Sequence, residues 1–147
     1  MSAKEDLQAS PPQGAILIAD DNPDDAKLLL RELRKIGAQH VLHSVGDGDQ
    51  VIAYVRGYGP YADREKYPYP ALLILDLRMV PMSGFDILRW LKANTRFKAF
   101  PILVMTASTE RHERTEAYRL GATTFLTKPA PLNTLKEAIQ ALNILPP

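Results

Sequence analysis

Five polar or charged side chains each come directly after a short apolar run, at positions where they could act on one ligand together. Asp20 and Asp21 follow AILIA, Asp76 follows ALLIL, Thr106 follows ILVM, and Lys128 follows TFLT. In an open parallel sheet, ligands bind beyond the carboxyl ends of the strands, beside the point where the strand order reverses. If these runs are strands of one such sheet, three carboxylates, a hydroxyl and an ammonium meet at one edge.

The three carboxylates predict a metal site. Carboxylates within a few ångström repel one another, and a divalent cation relieves that repulsion. Oxygen ligands favour Mg²⁺, which keeps several waters and takes few ligands from the protein. We therefore predict that Asp21 and Asp76 bind Mg²⁺, that Asp20 contacts it directly or through water, and that the Arg78 backbone carbonyl is a further ligand.

Asp76 is the predicted nucleophile. A carboxylate beside a bound cation can attack phosphorus and form an acyl phosphate, because the metal neutralises charge on the transferred group. Lys128 would then pair with one phosphoryl oxygen, and the Thr106 hydroxyl would donate a hydrogen bond to another. Taken singly, an Asp-Asp pair before a helix, a strand-end threonine and a surface lysine are more often structural. Their joint position at strand ends favours the chemical role.

Alternating apolar and amphipathic segments predict the elements that bring these residues together. The first helix has an Asn22 N-cap, Pro23 at its first position and a stripe of leucines, and four further helical segments follow the later strands. AILIA, ALLIL and ILVM are apolar on both faces, as in the central strands of a parallel sheet, whereas VLHSV is typical of an edge strand. The predicted strands are Ala15 to Ala19, Val41 to Val45, Ala71 to Leu75, Ile102 to Met105 and Thr124 to Thr127.

This pattern predicts an α/β, flavodoxin-like (βα)5 three-layer sandwich with a parallel five-stranded sheet of order 2-1-3-4-5. Residues 1–13 are small and polar and end in prolines, so we expect a flexible tail before one domain at residues 14–147. The five βα units leave no stretch for a DNA-binding or catalytic output module, so we expect any output to pass through a partner.

The amino-acid composition limits the range of functions that the protein can have. The 147 residues include 18 Lys+Arg and 17 Asp+Glu, and this net charge of +1 provides no broad surface for nucleic acid or an anionic membrane. The absence of cysteine excludes disulfides, thiolate nucleophiles and cysteine-based zinc sites. The N-terminal segment is acidic and unlike a signal peptide, and the sequence contains no apolar stretch of about 20 residues. We therefore predict a cytoplasmic protein without a membrane span.

The order and spacing of these motifs resemble receiver domains of the two-component response-regulator family. The resemblance is carried by ADDNPDD, LILDLRM, VMTAS and FLTKP, and it extends over nearly all of the chain from Ala15 to Ile144. It implies that Asp76 accepts a phosphoryl group from a sensor histidine kinase in a Mg²⁺-dependent reaction. It also implies that the surface of the fourth helix, fifth strand and fifth helix then changes for partner binding or homodimer formation, without enzymatic turnover of a substrate.

The resemblance assigns roles to three more positions. It implies that the small residue Ala107 leaves the phosphoryl pocket accessible and that Phe125 is the aromatic switch residue, although a core aromatic is the simpler reading. It further implies a cis Lys128-Pro129 peptide bond. Among receivers, the chain is most similar to the stand-alone type paired with bacterial phytochrome-like histidine kinases, which share the ADDNPDDAKLLLREL opening and an enlarged segment before the third strand, here residues 57–70.

The loop after Asp76 departs from the family pattern. Receivers usually have proline four residues after the acceptor, whereas here Val80 is fourth and Pro81 is fifth. Arg78, two residues after Asp76, carries a long cationic side chain that could lie over the phosphoryl group and alter attack by water. The geometry of this loop is therefore left open by the sequence.

Two alternatives remain. One is a receiver-like docking or dimerisation module that never accepts phosphate, which the full set of acceptor residues argues against. The other is an aspartate-nucleophile phosphatase, whose usual general acid is a second aspartate two residues after the nucleophile. Arg78 stands at that position, so this alternative is the less favoured one.

Overall fold

The structure is a computed structural model that describes residues 13–146. Apart from Gln13, the predicted tail therefore lies outside the described residues. The described chain alternates strands and helices, with a short 3₁₀ helix at Gly59–Tyr61. The strands are β1 (Ala15–Ala19), β2 (Val41–Val45), β3 (Pro70–Leu75), β4 (Ile102–Thr106) and β5 (Thr124–Thr127); the helices are α1 (Pro23–Lys35), α2 (Gly48–Arg56), α3 (Gly84–Ala93), α4 (Arg111–Arg119) and α5 (Leu132–Ala141).

The five strands form one parallel sheet in the order β2-β1-β3-β4-β5, which confirms the predicted topology. Two strand limits differ from the prediction. β3 begins one residue earlier, at Pro70, and β4 continues through Thr106. Every residue of β1 and β4 is buried, whereas most of β2 is partly or fully exposed, as expected for central and edge strands.

The helices cover both faces of the sheet, because alternate residues of each central strand point to opposite sides. On one face, Leu17 of β1 and Val104 of β4 share a core with α2, α3 and α4. On the other face, Ile18 and Leu103 share a core with α1 and α5. The two cores hold the carboxyl ends of β1, β3 and β4 side by side, which brings the predicted site residues to one edge.

Helix α1 begins as the sequence predicts. The Asn22 side chain accepts hydrogen bonds from the backbone N–H groups of Asp24 and Asp25 at 3.0 and 3.1 Å, and Pro23 is the first helical residue. Ala26, Leu29 and Leu33 of the predicted stripe are buried, while Leu30 is only partly buried. This cap places the start of α1 directly after Asp20 and Asp21.

The enlarged segment at residues 57–70 packs through its tyrosines and one arginine. The rings of Tyr61 and Tyr67 lie 5.1 and 6.0 Å from the ring of Tyr54. Tyr54 donates a hydrogen bond to the Pro68 carbonyl at 2.8 Å, and burial raises the pKa of its phenol to about 12. Arg64 donates to the carbonyls of Tyr54 and Val55, so the segment is fastened to the end of α2.

The start of α3 lies directly against the strand that carries Asp76. A Cβ atom on Gly84 would be 2.5 Å from the Asp76 carbonyl oxygen and 2.8 Å from the Leu77 Cα, closer than real side chains approach. Glycine therefore allows α3 to pack against the acceptor strand. Among residues 13–146, no helix is long and apolar enough to cross a membrane.

We expect Gly84→Ala to lower the free energy of unfolding by about 1–3 kcal/mol, because the added methyl group meets rigid backbone atoms. Urea denaturation of the purified protein measures this change. Gly46→Ala is the matched control, since a Cβ at Gly46 meets nothing within 4 Å. Equal stability of both variants would contradict the close packing of α3 on β3.

Candidate functional site

Three carboxylates meet at the carboxyl edge of the sheet. Asp20 and Asp21 follow β1 and Asp76 follows β3, and each offers an oxygen within 4.8 Å of the others. Asp20 and Asp76 are buried, whereas Asp21 is exposed. The sequence prediction that these residues converge therefore agrees with the described geometry.

Backbone amides orient the two buried carboxylates. The Asn22 N–H donates to Asp20 Oδ1 at 2.9 Å, and the Arg78 N–H donates to Asp76 Oδ1 at 3.0 Å. Each carboxylate is thus held by the turn that follows its own strand.

Lys128 lies between the two buried carboxylates. Its Nζ donates to Asp20 Oδ2 at 2.6 Å and to Asp76 Oδ2 at 3.1 Å, and it lies 3.4 Å from Asp25 Oδ2. Burial by itself would lower the pKa of this ammonium, but the hydrogen bond to Asp20 and the charge of Asp76 hold it above its ordinary value. The ammonium therefore remains charged and offsets part of the repulsion between the carboxylates.

The backbone around Lys128 ties β5 to β4. The Lys128 N–H donates to the Thr106 carbonyl at 2.8 Å. The Lys128-Pro129 peptide bond is cis, and so is the Val80-Pro81 bond in the loop that departs from the family pattern.

Thr106 is fully buried at the end of β4, next to the exposed residue Ala107. Its hydroxyl has no hydrogen-bond partner among the described residues. A buried hydroxyl without a partner costs free energy, so native proteins seldom retain one without a reason. The capacity of this hydroxyl to donate a hydrogen bond is therefore unused among the described residues.

Phe125 is buried in β5 at 7% exposure, inside the core shared with α2, α3 and α4. The Arg114 guanidinium of α4 lies over its ring, with the Cζ atom 5.0 Å from the ring centroid. Such a contact contributes about 0.5–1 kcal/mol at a partly exposed position. Any rotation of this ring is therefore coupled to α4.

The sequence reasoning missed two charged residues at the site, Asp25 and Glu113. Asp25 reaches Lys128 from the first turn of α1. Glu113 is buried in α4 and binds the Arg78 guanidinium. The spacing of Glu113, Ala117 and Leu120 could have indicated an inward face of this helix.

The donor atoms suit a hard divalent cation. The cluster contains only carboxylate oxygens, the ligands that Mg²⁺ and Mn²⁺ prefer, and contains neither histidine nor cysteine. Asp20, Asp21 and Asp76 would bind the cation, with the Arg78 carbonyl as the further predicted ligand. Lys128 competes for two of the same carboxylates.

Comparison with known families gives a match to the response regulator receiver domain over residues 16–140. The chain belongs to this family. The receiver fold and the recognition made from the sequence motifs are thereby confirmed. Receiver domains act in two-component signalling as proteins phosphorylated on an aspartate, and they bind Mg²⁺ or Mn²⁺ at an acidic pocket.

A phytochrome response regulator and a response regulator from red light signalling are among the proteins similar to this receiver. Response regulator Rcp1 from Synechocystis sp. is 29% identical, covering 92% of this chain and 89% of its own. Response regulator RPA3017 in red light signalling of R. palustris is 31% identical, with a TM-score of 0.77 and coverage of 88% and 90%. The phosphorylated cyanobacterial phytochrome response regulator RcpA is 26% identical, with a TM-score of 0.74 and coverage of 90% and 92%. The Mn²⁺-bound form of Rcp1 matches at 28% identity, a TM-score of 0.72 and coverage of 88% and 91%.

We expect Thr106→Val to raise the free energy of unfolding by about 1 kcal/mol, because valine removes the buried hydroxyl that lacks a partner. Urea denaturation measures the change. Thr123→Val provides the contrast, since the Thr123 Oγ1 accepts a hydrogen bond from the Ile102 N–H at 2.9 Å and its loss should destabilise the receiver. A loss of stability in Thr106→Val would contradict the assignment of an unsatisfied hydroxyl.

Proposed function

We propose that this receiver is a phosphorylation switch that accepts a phosphoryl group on Asp76 from a sensor histidine kinase in a Mg²⁺-dependent reaction. The observation that carries the proposal is the position of Lys128, whose ammonium lies within hydrogen-bond distance of both Asp20 and Asp76. A cation held at that point is ready to bind an oxygen of a group attached to Asp76.

In the proposed transfer, a carboxylate oxygen of Asp76 forms a bond to phosphorus while the bond from phosphorus to the kinase histidine nitrogen breaks. The Arg78 N–H holds Asp76 Oδ1 at 3.0 Å and so fixes the plane of the nucleophile. Lys128 exchanges its contact with Asp76 for one with a phosphoryl oxygen. The exposed position of Ala107 leaves this side of the pocket open to the donor.

A bound Mg²⁺ would neutralise negative charge on the transferred phosphoryl group. Asp20, Asp21 and Asp76 are proposed to hold it, together with the Arg78 carbonyl. Asp20 also keeps Lys128 in place, through its Oδ2 contact at 2.6 Å.

Phosphorylation is proposed to act on the rest of the domain through Thr106. The new group carries a charge of about −1.5 to −2, and its oxygens offer an acceptor to the Thr106 hydroxyl, which has none among the described residues. Movement of Thr106 toward the phosphoryl group opens space beside Phe125. Rotation of that ring would repack the surface of α4, β5 and α5, which we propose as the face for partner binding or homodimer formation.

The proposed kinase partner is a phytochrome-like histidine kinase. The support is the likeness to Rcp1, RPA3017 and RcpA over most of both chains, since these proteins are described as response regulators, two of them in phytochrome or red light signalling. The ADDNPDDAKLLLREL opening and the enlarged segment before β3, at residues 57–70, are the sequence features that favour this subgroup.

We propose a phosphoacceptor rather than a phosphatase that turns over substrate. Aspartate-nucleophile phosphatases need a general acid two residues after the nucleophile. Arg78 occupies that position, and its guanidinium is bound to Glu113. A turnover assay with a generic phosphomonoester should therefore detect no catalytic release of phosphate.

The decisive experiment is incubation with a small-molecule phosphodonor, with and without Mg²⁺, followed by intact mass measurement. We expect one Mg²⁺-dependent phosphoryl adduct on the wild-type protein and none on Asp76→Asn, because the amide lacks the nucleophilic carboxylate oxygen. Asp86→Asn is the matched control, since Asp86 belongs to the capping box of α3 and lies outside the acidic site.

Absence of an adduct on folded wild-type protein would overturn the proposal and favour the docking-module alternative. An adduct that persists in Asp76→Asn would instead move the acceptor to another residue.

We also expect Lys128→Met to bind Mn²⁺ about tenfold more tightly than the wild type, because its ammonium no longer competes for carboxylate oxygens of Asp20 and Asp76. The adduct yield should fall at the same time, since the phosphoryl group loses its cation. Calorimetric titration measures the affinity. Lys92→Met, on α3, is the control and should leave both quantities unchanged; weaker Mn²⁺ binding in Lys128→Met would contradict the competition.

A further inference from the structure

An ion pair joins the loop after β3 to helix α4. One guanidinium nitrogen of Arg78, Nη2, lies 3.0 Å from Glu113 Oε1 and 2.7 Å from Glu113 Oε2. Arg78 is two residues after Asp76, whereas Glu113 is in the first turn of α4. The pair therefore links the phosphoacceptor loop to an element of the proposed output face.

The two partners differ in their freedom to move. The Arg78 side chain is 59% exposed, whereas the Glu113 side chain is 10% exposed. If the pair opens, the long arginine side chain can swing through solvent while the glutamate stays in place. A buried carboxylate left without its partner is unfavourable, so Glu113 holds Arg78 in the position that the structure shows.

Arg78 has a second anion within reach once Asp76 is phosphorylated. The backbone N–H of Arg78 already donates a hydrogen bond to Asp76 Oδ1, so the backbone from which the Arg78 side chain extends lies beside the acceptor. Guanidinium groups bind phosphoryl oxygens strongly through charge-assisted hydrogen bonds. The phosphoryl group on Asp76 and the carboxylate of Glu113 therefore compete for one guanidinium.

We propose that Glu113 is a positioning residue that sets the lifetime of the phosphoryl group on Asp76 by holding the Arg78 side chain away from it. This inference rests on the proposed function of Asp76 and extends it to a residue on α4. Glu113 touches neither the acceptor nor the phosphoryl group and acts only through Arg78.

Hydrolysis of the acyl phosphate ends the signal. The oxygen of a water molecule forms a bond to phosphorus, the bond from phosphorus to the Asp76 oxygen breaks, and Asp76 leaves as a carboxylate. The water proton passes to solvent, and the product is inorganic phosphate. A guanidinium over the phosphoryl oxygens occupies the side from which water enters, so release of Arg78 from Glu113 slows this step.

The test compares phosphoryl decay in four proteins: wild type, Glu113→Gln, Arg78→Ala and the double variant. Each is phosphorylated with a small-molecule phosphodonor and Mg²⁺, the donor is removed, and intact mass follows the adduct over time. We expect decay in Glu113→Gln to be about fivefold slower than in wild type, a change typical of one altered ionic contact near reacting atoms. Arg78→Ala and the double variant should decay at the same rate, because without Arg78 the glutamate has nothing to position.

Glu116→Gln is the matched control. Glu116 is on the same helix and pairs with Arg119, another arginine, on the outer surface. Its decay rate should equal that of wild type. Glu113→Met, of similar size and without charge, is the second variant if Glu113→Gln folds poorly. The Mn²⁺ affinity measured by calorimetry should be unchanged in both Glu113 variants. Structural collapse of the site would instead weaken Mn²⁺ binding.

The outcomes separate this inference from the proposed function. Decay in Glu113→Gln or Glu113→Met at the wild-type rate, or a slowing that persists in the Arg78→Ala background, would overturn the role of Glu113 while Asp76 remains the acceptor. Failure of the wild-type protein to form any adduct would overturn the proposed function, and this inference with it.

Discussion

Negative charge is concentrated at one edge of the sheet, where the fold has to position three carboxylates and offset their repulsion. Asp20 and Asp76 are buried within 4.8 Å of each other and of Asp21. Like charges this close raise one another's proton affinity unless a cation lies between them. In this structure the Lys128 ammonium provides the cation, at 2.6 and 3.1 Å from the two buried carboxylates. The same ammonium therefore offsets the repulsion between the carboxylates and lies beside the proposed phosphoacceptor.

The sheet supplies the precision that this arrangement needs. The strands β1, β3 and β4 are almost wholly buried, and a shift of one residue would move each of their side chains into the core on the opposite face and lose its packing. Gly84 lets α3 approach the acceptor strand closely. The polar groups are thus attached to the ends of strands that are packed on both faces.

Beside this rigid edge lie groups whose contacts can be exchanged. The Thr106 hydroxyl has no partner among the described residues. The Phe125 ring lies under the guanidinium of Arg114. Glu113, the residue before Arg114 in the sequence, binds Arg78. Two consecutive residues of α4 therefore contact the proposed switch aromatic and the loop that carries the acceptor. A charge added at Asp76 would therefore act close to both contacts of α4, in addition to the contact that Asp25 of α1 makes with Lys128.

Much of the fold and of the acidic site was predictable from local sequence, because strand burial, helix caps and strand-end residues leave short-range patterns. Five apolar runs, the Asn22-Pro23 cap and the positions of Asp20, Asp21, Asp76, Thr106 and Lys128 were sufficient for the strand order and for the convergence of the site. The pairing of Glu113 with Arg78 across 35 positions of sequence and the approach of Asp25 to Lys128 are visible only in the folded chain. Such contacts depend on how helices dock on the sheet, and a charged residue on a polar helix carries no local signal for the partner that the docking brings to it.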